Sequence, residues 1–327
     1  MRIVLSRTDR VGDLILSTPA IATVRKSFPS AHITMICSPY NRVVMERNDD
    51  VDALVTLPRE IRPSAFGKTY RGADLAIALA PRIGDFEIVG ATRARVRVGY
   101  TYVTRKVARL TSRLYFNRFM ISEADPELAD RFPDRPVQHE VEQLLDLVAI
   151  GGARERVTRL RIDVTDADRA VVAAMPSGPL VVHIADRWFH EGSTLASTIA
   201  LIRELRRFEL PIVLTHGPES AAAVAEIESS QVADAVVGGL SFHQWAAAFE
   251  RARCIVTVDT GATHVASAMR RPTVVVFEHR YFRLSSQEWA PYGVPHALVR
   301  KPADTSEASL AQLRAGIIAN VDRLLHA

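Results

Sequence analysis

The chain predicts an α/β fold: two doubly wound domains, each with a parallel sheet, facing a central cleft. Three observations predict it. Apolar, strand-like runs alternate with amphipathic helical stretches from the first residues onward. Gly151, Gly152 and the charged stretch 153–161 interrupt that alternation near the middle of the chain. It then begins again and continues to the last helix, which gives an expected first domain at residues 1–155 and a second at 156–327.

The first strand is Arg2, Ile3, Val4, Leu5, Ser6 and Arg7, and a helix is predicted over 14–26. There Leu14, Ile15, Ala20, Ile21 and Val24 recur at near-helical spacing, with Pro19 as an early kink or local irregularity. Gly12 and Asp13 therefore fall in a strand-to-helix loop, and such loops gather at the carboxyl ends of the strands, where ligands bind. Taken alone, a Gly-Asp pair favours the plainer reading, in which Asp13 caps a helix. Strands follow at 32–37, 53–57 and 74–80, with helices near 40–47 and 85–91. Val141, Leu144, Leu145 and Val148 mark a helix over 139–150 that Gly151 and Gly152 stop.

After the interruption, strands are predicted at 179–184, 212–215 and 235–237, with helices over 194–208, 220–229 and 242–252. The apolar run 254–258 then leads through Asp259, Thr260, Gly261, Ala262, Thr263 and His264 into a helix, and the run 272–277 completes a βαβ unit. Backbone N–H groups and the positive end of the helix dipole converge at that turn, where a phosphate would sit. The closing helix, 305–325, carries Leu310, Leu313, Ile317, Val321 and Leu324 on one stripe and is expected to pack back toward the first domain.

Composition narrows the function classes. At 327 residues, 48% hydrophobic and 24% charged, the chain has material for two cores. No run approaches the roughly 18 consecutive apolar residues of a membrane span, and Arg2, Arg7, Asp9 and Arg10 break up any signal-peptide core. Cys37 and Cys254 lie far apart in apolar runs, as buried thiols of a reducing cytoplasm would, with no zinc spacing. The net charge is +4, but Arg93, Arg95, Arg97, Arg105, Lys106, Arg109, Arg113 and Arg118 follow one another without an acidic residue. Such a stretch is either a solvated face or a surface for phosphates or anionic lipid. Aromatic residues at 7% and the lack of a recognition motif speak against nucleic acid. Asp166 and Asp168 follow Thr165 and read as an acidic helix start, and the histidines have no metal-ligand spacing, so no metal site is expected.

Several motifs, in order along nearly the whole chain, resemble the heptosyltransferases of glycosyltransferase family 9. They are Arg10-Val11-Gly12-Asp13 with Leu16-Ser17-Thr18-Pro19-Ala20, Gly90-Ala91 through Arg97-Val98-Gly99-Tyr100, His139-Glu140-Val141, Gly217-Pro218, and Asp259-Thr260-Gly261 with His264. The resemblance implies a GT-B architecture of two Rossmann-like domains, with the acceptor bound by the first and the nucleotide-sugar donor mainly by the second. It also implies inverting, metal-independent transfer of a hexosyl or heptosyl group, typically heptose from ADP-heptose to the inner core of lipopolysaccharide. No cofactor beyond the donor substrate is implied.

Inverting transfer needs a base for the acceptor hydroxyl, and Asp13 matches the Asp of the family motif. The departing diphosphate needs fixed donors, which Thr260, Gly261, Thr263 and His264 can supply, while Asp259 orients the turn or a neighbouring donor. His264 by itself would read as an ordinary helix residue; the turn and the resemblance reverse that preference. Many family members carry a Lys before a Trp-Pro pair in the loop after the first strand of the second domain. Here the loop reads Asp186-Arg187-Trp188-Phe189, so either Arg187 replaces that Lys or Asp186 occupies its position. Gly12 supports the site. Glu219 either bonds ribose hydroxyls or starts a helix at the surface, and Trp188, Phe242 and Trp245 include either a stacking ring for the base or only core.

Arg10, Arg97, Arg105 and Lys106 are the candidates for an anionic glycolipid acceptor, and the expected setting is a cytoplasmic monomer associating transiently with the inner-membrane surface. Three other readings stay open: a member of the same family with another nucleotide-sugar donor, a nucleotide-sugar epimerase or hydrolase on the same scaffold, and a non-catalytic nucleotide-sugar-binding protein. A nicotinamide dehydrogenase fits poorly, because Gly12 stands alone where G-x-G-x-x-G is needed.

Overall fold

The strand order of each sheet decides where a ligand can sit. The computed structural model describes residues 1–326, so residue 327, the end of the second expected domain, lies outside the described residues. The first unit, residues 1–161, contains β1 (Arg2–Arg7), α1 (Val11–Ser27), β2 (His32–Cys37), β3 (Ala53–Thr56), α2 (Pro63–Gly67) and β4 (Leu75–Ala78). It continues with α3 (Ile83–Thr92), β5 (Val96–Tyr102), α4 (Lys106–Tyr115), β6 (Arg118–Ser122), α5 (Pro126–Arg131) and α6 (Glu140–Ile150). Its six strands pair in parallel in the order β3-β2-β1-β4-β5-β6. The chain therefore steps outward from β1 to one side, crosses back to β4 and steps outward to the other. The loops after β1 and β4 leave in opposite directions, and a crevice opens between them.

Both sheet faces are covered by helices, so the central strands read as continuous apolar runs and not as an alternation. β1 is buried at five of its six positions. In α1, Leu14, Ile15, Leu16, Ala20, Ile21 and Val24 are all inaccessible to solvent. The helix continues through Pro19 as a single element. Pro19 has no N–H for the carbonyl of Ile15, and the Thr18 hydroxyl donates to that carbonyl instead, at 2.7 Å.

The expected domain boundary at 155/156 moves to between Arg161 and Ile162. The cause is a row of hydroxyls along α1. Ser27 Oγ accepts from the N–H groups of Arg154 and Glu155, Thr23 Oγ1 from Val157, and Thr18 Oγ1 from Arg161, all between 2.8 and 3.0 Å. The charged segment is thus a strap bound to the first unit. A second departure is the helix expected near 40–47, which is only a single 3₁₀ turn, Arg42–Val44. The buried Asn41 side chain accepts from Ser38 N and donates to Arg7 O, which fixes a tight turn there.

The second unit begins at Ile162 and contains α7 (Asp166–Val171), β7 (Leu180–Ile184), α8 (Leu195–Leu205), β8 (Ile212–His216), α9 (Ala221–Ser229), β9 (Ala235–Val237) and α10 (Phe242–Glu250). β10 (Cys254–Val258), α11 (Gly261–Ala268), β11 (Thr273–Phe277), α12 (Phe282–Glu288), β12 (His296–Arg300) and α13 (Glu307–Leu325) follow. Its sheet runs β12-β11-β10-β7-β8-β9, which is the first sheet's order repeated, with β7 and β10 in the places of β1 and β4. The two units are Rossmann-like, and together they give the GT-B fold.

The core of the second unit gathers Leu180, Val182, Ile184, Leu201, Leu205, Val256, Ile317 and Val321. The predicted stripe of α13 is buried, and the helix packs on β10, β11, β12 and α8 of its own unit. Thr165 and Asp168 form a reciprocal cap at the start of α7, which accounts for the Asp166-Ala167-Asp168 sequence as a helix start. Cys37 and Cys254 are buried, and burial pushes both thiols up to about 12. Among the described residues no group of His, Cys, Asp or Glu is arranged to hold a metal ion, and no helix is long and apolar enough to cross a membrane.

Candidate functional site

In the first unit, Asp13 is the third residue of α1, just beyond β1, and Asp85 is the third residue of α3, just beyond β4. The crevice between these strands is therefore flanked by two carboxylates, each on the first turn of a helix. The hub between them is Arg7, which ends β1 and is 2% exposed. Its Nε donates to Asp9 Oδ1 at 3.0 Å and its Nη1 to Glu140 Oε1 at 2.9 Å, while Nη2 lies 3.7 Å from Asp13 Oδ1. Arg7 Nη1 also donates to Leu79 O and Ser17 Oγ, and the Tyr100 hydroxyl donates to Glu140 Oε1 at 3.0 Å.

One buried guanidinium facing several carboxylates leaves the cluster acidic when all are ionised. Arg7 is itself held above the ordinary arginine range: burial works against its charge, and Asp9 and Glu140 more than offset it. Burial pushes the Asp13 carboxyl up to about 7; Arg7 pulls it down, and Asp9 and Glu140 push it up again. A carboxylate poised near neutrality suits a general base, because it is ionised in working conditions and still holds a proton well. Asp13 keeps 20% of its side chain accessible, so a hydroxyl can reach it. Asp85 is fully buried, and burial lifts it to about 6 although it accepts from Ser6 Oγ at 2.5 Å and Thr8 Oγ1 at 2.9 Å.

The other residues expected in this unit are spread around the crevice. Gly12 is buried in the first turn of α1, and Arg10, the residue before the helix, is exposed. Arg97 spends its guanidinium on the carbonyls of Tyr115 and Ala94, both at 2.8 Å. Arg105 lies over the Tyr102 ring at 4.8 Å and reaches Pro81 O at 3.4 Å, in the loop after β4. Lys106 is exposed at the first position of α4.

In the second unit the equivalent place lies between β7 and β10. The 3₁₀ turn Asp186–Phe189 follows β7, and Asp259 follows β10. Arg187 Nη1 donates to Asp259 Oδ2 at 2.6 Å, joining the two loops. Asp186 instead accepts from Ser220 Oγ at 3.2 Å. Thr260 caps α11 from an extended backbone, and its hydroxyl makes no capping bond to the helix. The N–H groups of Gly261 and Ala262 thus have no intrahelical acceptor, whereas that of Thr263 donates to Thr260 O at 3.1 Å.

Thr260 and Gly261 are partly accessible, whereas Thr263 and His264 are buried beneath the turn, with Thr263 Oγ1 turned toward Val258 O at 3.4 Å. Glu219 is exposed beyond β8. Its carboxylate oxygens lie where a Cβ on Gly217 would be, at 2.3 Å. Trp188 is core: it is 1% exposed, and its Nε1 donates to His183 O at 2.8 Å. Trp245 is partly accessible, its ring 5.0 Å from that of His183.

Sequence reasoning missed Arg7, Asp85, Glu140 and Lys301. Lys301, 1% exposed, donates to the carbonyls of Arg187 and His190 and so holds the turn after β7. Burial brings its amine down to about 8. The available signal for Glu140 was its place in the His139-Glu140-Val141 motif, and for Arg7 a charge at the end of an otherwise apolar strand. Lys301 and Asp85 carry no comparable local mark.

Residues 158–310 match the model of glycosyltransferase family 9 (heptosyltransferase). The chain is 23% identical to lipopolysaccharide heptosyltransferase 3 of Escherichia coli over 96% of each protein. A glycosyl transferase of family 9 from Veillonella parvula superposes with a TM-score of 0.79 at 17% identity, over 99% of this chain and 97% of that one. The Escherichia coli ADP-heptose lipopolysaccharide heptosyltransferase II superposes with a TM-score of 0.76 at 17% identity, over 100% and 99%. These structures share the GT-B fold described above, and the chain is similar to glycosyltransferase family 9 through residues 158–310 and to the lipopolysaccharide heptosyltransferases over most of its length.

Proposed function

We propose that the protein is an inverting heptosyltransferase that moves heptose from ADP-heptose to an inner-core lipopolysaccharide or a related glycolipid, without a metal. Asp13 takes the proton of the acceptor hydroxyl as its oxygen attacks the anomeric carbon. The bond from that carbon to the diphosphate oxygen breaks, and ADP leaves with the electron pair. Thr260, Gly261 and the N-terminal N–H groups of α11 receive the charge developing on the diphosphate, with Arg187 beside them. The observation that carries this reading is Asp13: an accessible carboxylate at the strand-order reversal of the first sheet, raised to about 7 by burial.

The test is incubation of the purified protein with ADP-heptose and a lipid-linked acceptor lacking the terminal heptose, following ADP release and the anomeric configuration of the product. The expected result is an acceptor-dependent, inverted glycoside, together with thermal stabilisation by ADP-heptose above that by UDP, GDP or dTDP sugars. Turnover of the donor without acceptor, or stabilisation by another nucleotide sugar only, contradicts it.

A further inference from the structure

The helix α4 is amphipathic in the unusual sense that its apolar ridge faces outward. At about 100° per residue, Ala108, Ser112 and Tyr115 share the face that packs on α3, β5 and β6, and Ser112 is the one residue of the helix that is fully buried. On the opposite face, Val107, Leu110 and Leu114 are 77%, 73% and 78% exposed. The exposed Lys106 and Arg113 run along one side of this ridge, with the exposed Arg105 just before it. Between residues 93 and 118 there is no acidic residue to balance them. Arg105 and Lys106 also stand at the positive end of the helix dipole, so helix stability does not explain them.

We propose that α4 docks the first unit on an anionic lipid surface, its apolar ridge entering the headgroup boundary and its basic flank meeting lipid phosphates. Charge complementarity selects this occupant. A second copy presenting the same face would set unbalanced basic residues against one another, whereas an anionic membrane neutralises them. The helix joins the crevice through Arg105, which reaches Pro81 O in the loop after β4, so docking brings a lipid-borne acceptor to the carboxylate side of the sheet. The surface is independent of the chemistry proposed above, and its test uses no nucleotide sugar.

The full chain is mixed with vesicles of phosphatidylethanolamine and phosphatidylglycerol, and separately with phosphatidylcholine vesicles. The protein is expected to sediment with the anionic vesicles only and to be released by salt. Substituting Val107→Ser, Leu110→Ser and Leu114→Ser together, or Lys106→Glu and Arg113→Glu together, is expected to lower partitioning by about tenfold or more. A Leu110→Cys protein carrying an environment-sensitive dye supplies a reading that does not depend on either multiple variant folding: its emission is expected to shift to the blue on anionic vesicles. Three results overturn the proposal: no binding to anionic vesicles, variants that bind as the parent does, or a parent dimer that the serine variant turns into monomer.

Discussion

Arg7 Nη1 donates to Glu140 Oε1 at 2.9 Å, joining the end of the first strand to a helix start 133 residues further along the chain, with both side chains only 2% exposed. A buried ion pair of this kind is expensive to break on one side, because the remaining charge stays behind without its partner. Glu140→Ala is therefore expected to cost about 3–5 kcal/mol of stability, read as a loss in the urea midpoint. Glu140→Gln keeps an acceptor for Arg7 and Tyr100 and costs less. Because Glu140 pushes Asp13 up, the Gln variant is also expected to move the acid limb of the activity profile to lower pH.

The parent profile follows from the ionisation of Asp13. A base acts only when deprotonated, so kcat/KM is expected to rise with pH through about 7 and then level off. Stability should move the opposite way. A carboxyl raised in the folded state contributes stability that is fully present below its unfolded value, near 4, and is lost as pH rises through about 7. Asp13→Asn removes that loss, so its melting temperature is expected to exceed the parent's at pH 8 and to approach it at pH 5. The difference is bounded by roughly 4 kcal/mol. Equal melting temperatures at both pH values would show that Asp13 is not held up by burial.

Arg187 stands between donor phosphates and Asp259 in the proposed reaction. Its planar fork holds Asp259 at 2.6 Å, and a Lys at this position keeps the charge but not the geometry. Arg187→Ala is expected to weaken ADP-heptose binding by about tenfold to a hundredfold, and Arg187→Lys by less. Calorimetric titration checks both; unchanged affinity in the Ala variant removes Arg187 from the donor site.

Gly192 has φ 69°, and a Cβ there would lie 2.0 Å from the carbonyl oxygen of Pro302, a backbone atom that cannot swing aside. Gly192→Ala is expected to push the loop after β7 off Lys301 and Pro302, lowering both the melting temperature and donor affinity. Lys301→Met removes the donor to the Arg187 and His190 carbonyls and is expected to cost about 1–3 kcal/mol, with the same loss of donor affinity. Normal affinity in both variants would show that the loop needs no such support.

Much of the fold was legible because both sheets are covered on each face, so their strands appear as apolar runs such as 32–37, 179–184 and 254–258. The helices that bury one stripe, α6 and α13, carried their period in the sequence. α4 did not, because its apolar residues face out and only Ser112 is fully buried. β12, with a single fully buried position, left no comparable run, whereas β3 was legible at 53–57 although none of its positions is fully buried. Asp13 and the turn at Asp259 were legible as motifs at strand ends. The partners that set their chemistry were not: Arg7 meets Glu140 only through the packing of α6 on α1, and Arg187 meets Asp259 only through the pairing that brings β7 beside β10.

Removal of the acceptor proton by Asp13 is checked by single-turnover transfer from ADP-heptose by Asp13→Asn at pH 8, with donor affinity titrated on the same preparation. A positioned general base contributes about 10²- to 10⁴-fold. The expected rate is lower by that much or more, with ADP-heptose bound as tightly as by the parent. Transfer at close to the parent rate would show that Asp13 is not the base.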